Sequence, residues 1–169
     1  MAESLAQYAT LLFKLYLDRR RFRGAREFAF RLRVGGRDRY RIGISARDGT
    51  FRADVSLRRN TSDLATFEQV FANNAFNLRR SARWHDILAL YDGLVRQGTP
   101  LILDLGANVG LVSLYFAKNW PGARIVAVEP ETQNYCLMRD NLSGLANVLL
   151  LHAAAASEDG SVRIVDPGA

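Results

Sequence analysis

An α/β fold, with a parallel sheet of strand-loop-helix units behind a smaller antiparallel and helical region, is what this 169-residue sequence predicts, and three observations carry the prediction. An apolar run, Leu101 to Leu105, contains an acid and breaks into spaced small residues just before a helical pattern. A second β-like run, Arg124 to Val128, ends in Glu129-Pro130-Glu131, 25 residues beyond Asp104, which suits a strand, loop, helix and strand. Upstream, residues 27–33 and 40–44 alternate apolar and polar side chains, as half-buried antiparallel strands do.

At the N-terminus, Leu5, Tyr8, Leu12 and Leu15 recur at helical spacing ahead of Arg19-Arg20-Arg21-Phe22-Arg23, an amphipathic helix with a basic end. The positive charges follow the apolar stretch and Lys14 interrupts it, unlike a secretory leader. It falls short of the roughly 20 apolar residues that span a bilayer. Such a helix can rest on a membrane surface near a lipid-linked acceptor, although docking against its own domain is the favoured reading.

Glu27 to Arg33 and Tyr40 to Ile44 predict a hairpin turned at Gly35-Gly36 with one basic face, and a third strand is expected over 51–57. Two helices follow, about 62–75 and 82–97, the first capped by Thr61 or Ser62 and the second closed by Gly98. Thr99-Pro100 then stops the chain before a buried strand, Leu101 to Leu105, and a helix from Val109 to Trp120. After the turn at Pro121-Gly122 come the strand 124–128, a helix from Thr132 to about Leu142, a strand near 147–152 and a further strand at 161–165. The expected domains are 1–98 and 99–169.

The loop after the first parallel strand lies at its carboxyl end, where such sheets bind ligands. Gly106 and Gly110 allow a sharp turn and close approach, and Asn108 tolerates positive φ. Asp104 would repel a pyrophosphate but suits an ammonium or sulfonium group. Glu129, at the tip of the next strand, stands where a ribose is gripped by its hydroxyls. A nicotinamide fingerprint G-x-G-x-x-G starting at Gly106 would need glycine where Asn108 and Leu111 stand, so two of its three glycines are missing. Each residue alone has an architectural explanation: turn glycines, a helix-capping Asp104, a solvated Glu129. The ordered combination is what distinguishes them.

The pattern Asp-x-Gly-x-Asn-x-Gly, followed by a strand ending in Glu-Pro, resembles the S-adenosylmethionine-dependent methyltransferases. Within these, Asp104-Leu105-Gly106-Ala107-Asn108-Val109-Gly110, Val128-Glu129-Pro130-Glu131, Asn134-Tyr135 and Asn141-Leu142 resemble the FkbM family, as do the flanking segments from about Thr61 to Gly160. The resemblance implies a Rossmann-like class I methyltransferase sheet. It implies that Asp104, Gly106, Ala107, Asn108 and Gly110 line the methionine side of S-adenosylmethionine, while Glu129, with Pro130 beside it, holds the ribose. Where many methyltransferases carry an acid just after the third strand, Ala153-Ala154-Ala155-Ala156 stand here before Ser157-Glu158-Asp159.

The activity implied is O-methylation of a hydroxyl on a sugar, polyketide or related small molecule or glycan. A noncatalytic cofactor-binding remnant and an NAD-dependent oxidoreductase are the alternatives. The implied sheet is larger than residues 101–169 can build, so the chain is expected to be a fragment of a longer enzyme. No general base is assigned: His152 reads as a neutral structural histidine and His85 as a helix-surface residue.

Composition bounds the rest. Residues 1–100 hold 19 Lys or Arg against 10 Asp or Glu, and 101–169 hold 4 against 7, so the basic character belongs to the front half. Arg-x-Arg alternation with Phe and Tyr there raises an acidic-substrate or nucleic-acid face. Eighteen of those 19 basic residues are Arg, which favours compositional bias and a solvated face, and no compact nucleic-acid motif is present. Cys136 is alone and reads as a buried thiol, excluding an internal disulfide. No metal-ligand spacing, repeat or low-complexity linker occurs. A cytoplasmic location is the expectation in the absence of signals.

Overall fold

The computed structural model describes residues 27–34, 38–161 and 163–164. The expected N-terminal amphipathic helix, its arginine run and the turn glycines Gly35 and Gly36 lie outside the described residues. The chain divides into two compact units, residues 1–77 and 78–169.

In the first unit, β1 (Phe28–Val34), β2 (Arg39–Ala46) and β3 (Arg52–Arg58) form an antiparallel sheet in the order β1-β2-β3. Because successive side chains alternate in direction, Phe28, Phe30, Tyr40, Ile42, Ile44, Val55 and Leu57 all turn to one buried face. A short helix α1 (Asp63–Phe67), widened into a π-turn over Glu68–Ala72, covers that face. Phe28 packs edge-on against Phe71, and Phe30 against Phe67, each pair with ring centres 5.5 Å apart. The helix is shorter than the expected 62–75 because Asn74 adopts φ 52° and ends it. Of the two expected caps, the Thr61 hydroxyl accepts from the Asp63 N–H at 3.3 Å, whereas Ser62 makes no capping bond.

Asp63 is fully buried at the start of α1. Its carboxylate accepts from the Arg58 backbone N–H at 2.8 Å, from Nε at 3.0 Å and from Nη2 at 2.8 Å. Burial alone would raise its pKa, but the hydrogen bonds and charge of Arg58, with Thr61, reverse this and hold it below the ordinary 3.8. The fold therefore gains stability above the unfolded value and loses it as pH falls through the lower folded one. Urea unfolding between neutrality and about pH 2 should show this loss, and Asp63→Asn should remove it from the acid limb.

The second unit begins with a 3₁₀ turn (Leu78–Arg80) and helix α2 (Trp84–Gln97). The parallel part follows: β4 (Leu101–Leu105), α3 (Leu111–Asn119), β5 (Arg124–Val128), α4 (Thr132–Asn141) and β6 (Val148–Leu151). The sheet order is β4-β5-β6, with Ile102, Ile125 and Val148 in one row across it. That row packs with Ala117, Trp120 and Ala123, and Trp84, Ile87 and Tyr91 of α2 join the same core. Tyr91 sits 4.5 Å from the Trp120 ring and its hydroxyl accepts from the Gly122 N–H. Thus α2, grouped by sequence with residues 1–98, belongs to the unit that starts at Leu78.

Three expectations change. β4 is not a buried strand: Leu101, Leu103 and Leu105 are each 58% exposed. Two crossovers of the same hand, moving in one direction across the sheet, put α3 and α4 on the Ile102 face. Cys136 is exposed on α4 rather than buried. Ser161, Arg163 and Ile164 are not in a strand, and Val162 and Val165 lie outside the described residues. This mixed arrangement of a three-stranded parallel sheet with helices is compatible with a Rossmann-like fold and is smaller than a complete one. Among the described residues, no helix is long and apolar enough to cross a membrane.

Candidate functional site

The loop between β4 and α3 is built on three left-handed residues: Gly106 (φ 80°), Asn108 (φ 51°) and Gly110 (φ 82°). These are the positions where glycine and asparagine pay least for that conformation. The turn brings the Gly106 and Ala107 N–H groups onto one acceptor, the Val128 carbonyl, at 2.9 Å each. The loop is thereby tied to the end of β5. The two glycines differ in surroundings. A Cβ on Gly106 would meet nothing within 4 Å, whereas one on Gly110 would lie 2.9 Å from Met138 Cγ and from Leu142 Cδ1. Gly110 serves packing against α4, and Gly106 leaves open space beside the backbone.

Glu129 follows β5 and is buried, 5% exposed. One carboxylate oxygen accepts from the Asn108 N–H at 2.8 Å. The other accepts from the Glu131 N–H at 2.9 Å and from Asn134 Nδ2 at 3.3 Å. Glu129 therefore joins the loop after β4 to the loop after β5, keeping about one of its roughly four acceptor positions for anything else. Glu131 caps α4, accepting from the Gln133 and Asn134 N–H groups at 2.9 and 2.6 Å.

Asp104 lies in β4, facing the start of α3, and its Oδ2 accepts from the Ser113 hydroxyl at 2.6 Å. Among the described residues its Oδ1 has no hydrogen-bond partner. Burial pushes the carboxyl above its ordinary 3.8, and the nearby Glu129 charge pushes the same way, against the hydrogen bonds of Ser113. A half-buried carboxylate with a raised pKa favours a cation beside it, because a positive charge would stabilise its ionised form.

At the far side of the β5 tip, the Pro130 carbonyl accepts from His152 Nε2 at 3.1 Å. The His152 ring stacks on Tyr135 at 4.6 Å. Pro130 and His152 border a cavity of about 620 Å³ with Glu158 and Asp159 on its wall. His85 is exposed on α2.

Of the residues singled out by sequence, Asp104 lies near the end of β4, and Gly106, Ala107, Asn108, Gly110, Glu129 and Pro130 lie along two adjoining loops at the carboxyl ends of β4 and β5. The structure adds three partners. Ser113 orients Asp104; its signal was a serine inside the apolar run Leu111 to Tyr115. Asn141, also buried, donates from Nδ2 to the Val109 carbonyl at 2.9 Å and pins the loop. Asn134 reaches Glu129. Asn134 and Asn141 are seven apart, and so share a face of α4 that could have been read as turned to the loop.

No family model matches the chain. Over 77 residues it is 36% identical to the methyltransferase sdnD of Sordaria araneosa, a stretch covering 44% of this chain and 30% of that protein. Over 39 residues it is 54% identical to the AMB antimetabolite synthetase AmbE of Pseudomonas aeruginosa, which covers 23% of this chain and 2% of that protein. The chain thus spans less than a third of the length of these curated relatives. It is a distant relative of a methyltransferase.

Proposed function

We propose that this chain is the cofactor-binding part of an S-adenosylmethionine-dependent methyltransferase of the FkbM kind, transferring methyl to a hydroxyl of a sugar, polyketide or related small molecule. The observation that carries the reading is Asp104: a half-buried carboxylate with its Oδ1 vacant, beside a left-handed loop at the carboxyl edge of a parallel sheet. Similarity to a fungal methyltransferase supports the reaction class. The acceptor and the use of oxygen rest on the family resemblance.

The residues present fit the cofactor. Asp104 would hold its amino group, and Gly106, Ala107, Asn108 and Gly110 would wrap its methionine side, with the open space beside Gly106 as the cradle. Glu129, through its remaining acceptor position, and Pro130 would border the ribose. When bound, S-adenosylmethionine supplies an electrophilic methyl on its sulfonium. The chain's own residues orient and hold charge: Ser113 fixes the Asp104 carboxylate, and Glu129 keeps the two loops in register.

Calorimetric titration with S-adenosylhomocysteine, with NAD in parallel, tests the assignment. Binding is expected for the former alone. Asp104 has a raised folded pKa, so its own contribution to the stability of the free protein is greatest below about 3.8 and declines as pH rises through the folded value, opposite in sign to that of Asp63. Ligand binding runs the other way: affinity should fall as pH drops through that value, because the carboxylate must be ionised. Asp104→Asn should remove this pH dependence and weaken binding near neutrality by about 10- to 150-fold, the loss of one charge-assisted hydrogen bond. Equal affinity in parent and variant, or binding of NAD in place of S-adenosylhomocysteine, would overturn the assignment.

A further inference from the structure

We propose that the open face of the β1-β2-β3 sheet is a binding site for a small molecule carrying a phosphate or diphosphate group, gripped by Arg31, Arg33, Arg41 and Arg52 around a floor at Gly43. The strand register sets the array. Arg31 stands opposite Gly43 and Gly43 opposite Asp54; Arg33 stands opposite Arg41 and Arg41 opposite Ser56; Ser45 stands opposite Arg52. Residues opposite one another are about 5 Å apart and same-face neighbours along a strand about 7 Å apart, so Arg31 and Arg52 flank Gly43 roughly 12 Å from each other, a span that two long side chains can close onto one ligand, with Arg33 and Arg41 at its edge.

Gly43, lacking a side chain, leaves the centre of that patch to the Asp54 carboxylate and the base of Arg31. A Cβ there would lie 3.0 Å from Asp54 Oδ1 and 3.6 Å from Arg31 Cβ. The result is a shallow depression of about 500 Å³, bordered by Arg31, Arg33, Ser45, Arg52 and Asp54 with Gly43 in its floor.

All four arginines are exposed, and among the described residues none has a side-chain partner. Other arginines of the unit are engaged: Arg58 is held by Asp63, and Arg59 lies over the Tyr40 ring. Arg33 and Arg41 are direct cross-strand neighbours, and like charges placed opposite one another destabilise a sheet. A bound anion offsets that repulsion, and the forked donors of several arginines match phosphate oxygens.

The face also discriminates among anions. The aromatic residues that alternate with these arginines, Phe28, Phe30 and Tyr40, all point into the core. Among the described residues the face thus has no ring on which a nucleotide base could stack, and so lacks the platform of single-strand readers. Ala29, Gly43, Ser45 and Ser56 accompany the arginines, so it carries no apolar wedge for a bilayer either. A compact soluble phosphate ester, whose oxygens can meet the arginines while its hydroxyls face the Asp54 carboxylate, fits this combination.

The test is calorimetric titration of the full chain with inorganic diphosphate. One saturable site is expected, weakened at least tenfold by Arg31→Ala and by Arg52→Ala. Arg96→Ala, which removes the same charge from α2 in the other unit, should leave it unchanged. Arg33→Ala should weaken binding while leaving the urea midpoint of the free protein equal or higher, since it relieves the pairing with Arg41. This readout separates a binding role from a structural one. Absence of saturable binding, or equal weakening by Arg96→Ala, would overturn the proposal. So would preferential binding of a single-stranded oligonucleotide or of phosphatidylserine vesicles that diphosphate cannot displace.

Discussion

Gly110→Val is expected to destabilise the parallel unit by about 2–5 kcal/mol. Two costs combine. Gly110 adopts φ 82°, a conformation in which a β-branched residue is strained by about 1–2 kcal/mol. Its new Cβ would also lie 2.9 Å from Met138 Cγ and from Leu142 Cδ1, and overpacking of this kind costs about 1–3 kcal/mol. Neither neighbour can withdraw freely, since Met138 and Leu142 are buried. The measurement is the urea midpoint followed by a probe of the second unit, such as Trp120 fluorescence. Gly106→Val is the control: its φ is 80°, but its Cβ meets nothing, so only the backbone cost of about 1–2 kcal/mol applies. A Gly110→Val midpoint no lower than that of Gly106→Val would contradict the packing role given to Gly110.

Glu129→Ala is expected to cost about 2–6 kcal/mol in the free protein, before any ligand is considered. Two backbone donors, the Asn108 and Glu131 N–H groups, lose their acceptor, and each orphaned donor costs about 1–3 kcal/mol. Amide exchange at Asn108 and Glu131 should accelerate together, because one carboxylate restrains both loops. Glu129→Gln should fall between, since its amide oxygen can serve one N–H while its NH₂ faces the other donor. Were Glu129 purely a ligand group, the alanine variant would unfold at the parental midpoint.

How far the sequence could be read follows from how local each determinant is. The strands 28–34, 39–46, 52–58, 101–105, 124–128 and 148–151 were legible in alternation or apolar runs. The positive-φ character of Gly106, Asn108 and Gly110 was legible because it is a property of single residues. The Glu131 cap is just as local, its acceptors being filled from two and three residues away, but it was not assigned from the sequence. Glu129 was legible as a strand-tip acid, but its engagement by Asn108 spans 21 residues and required the two strands to be parallel neighbours. Ser113 was passed over because the apolar pattern around it hides one hydroxyl, and Asn141, present only within the family resemblance, received no role because its acceptor lies 32 residues away.

The sequence by itself determined the order of strands and helices, the left-handed loop and the concentration of arginine in the front half. These depend on side-chain period, turn chemistry and composition, all of which act within a few residues. Tertiary structure alone decided which faces those elements bury. It left β4 with Leu101, Leu103 and Leu105 exposed, turned Cys136 outward, and assigned α2 to the second unit. It also separated Phe28, Phe30 and Tyr40 from the arginines that alternate with them. Burial and long-range hydrogen bonding are settled by the direction of the crossovers and the register between strands, and no single stretch of the chain contains either.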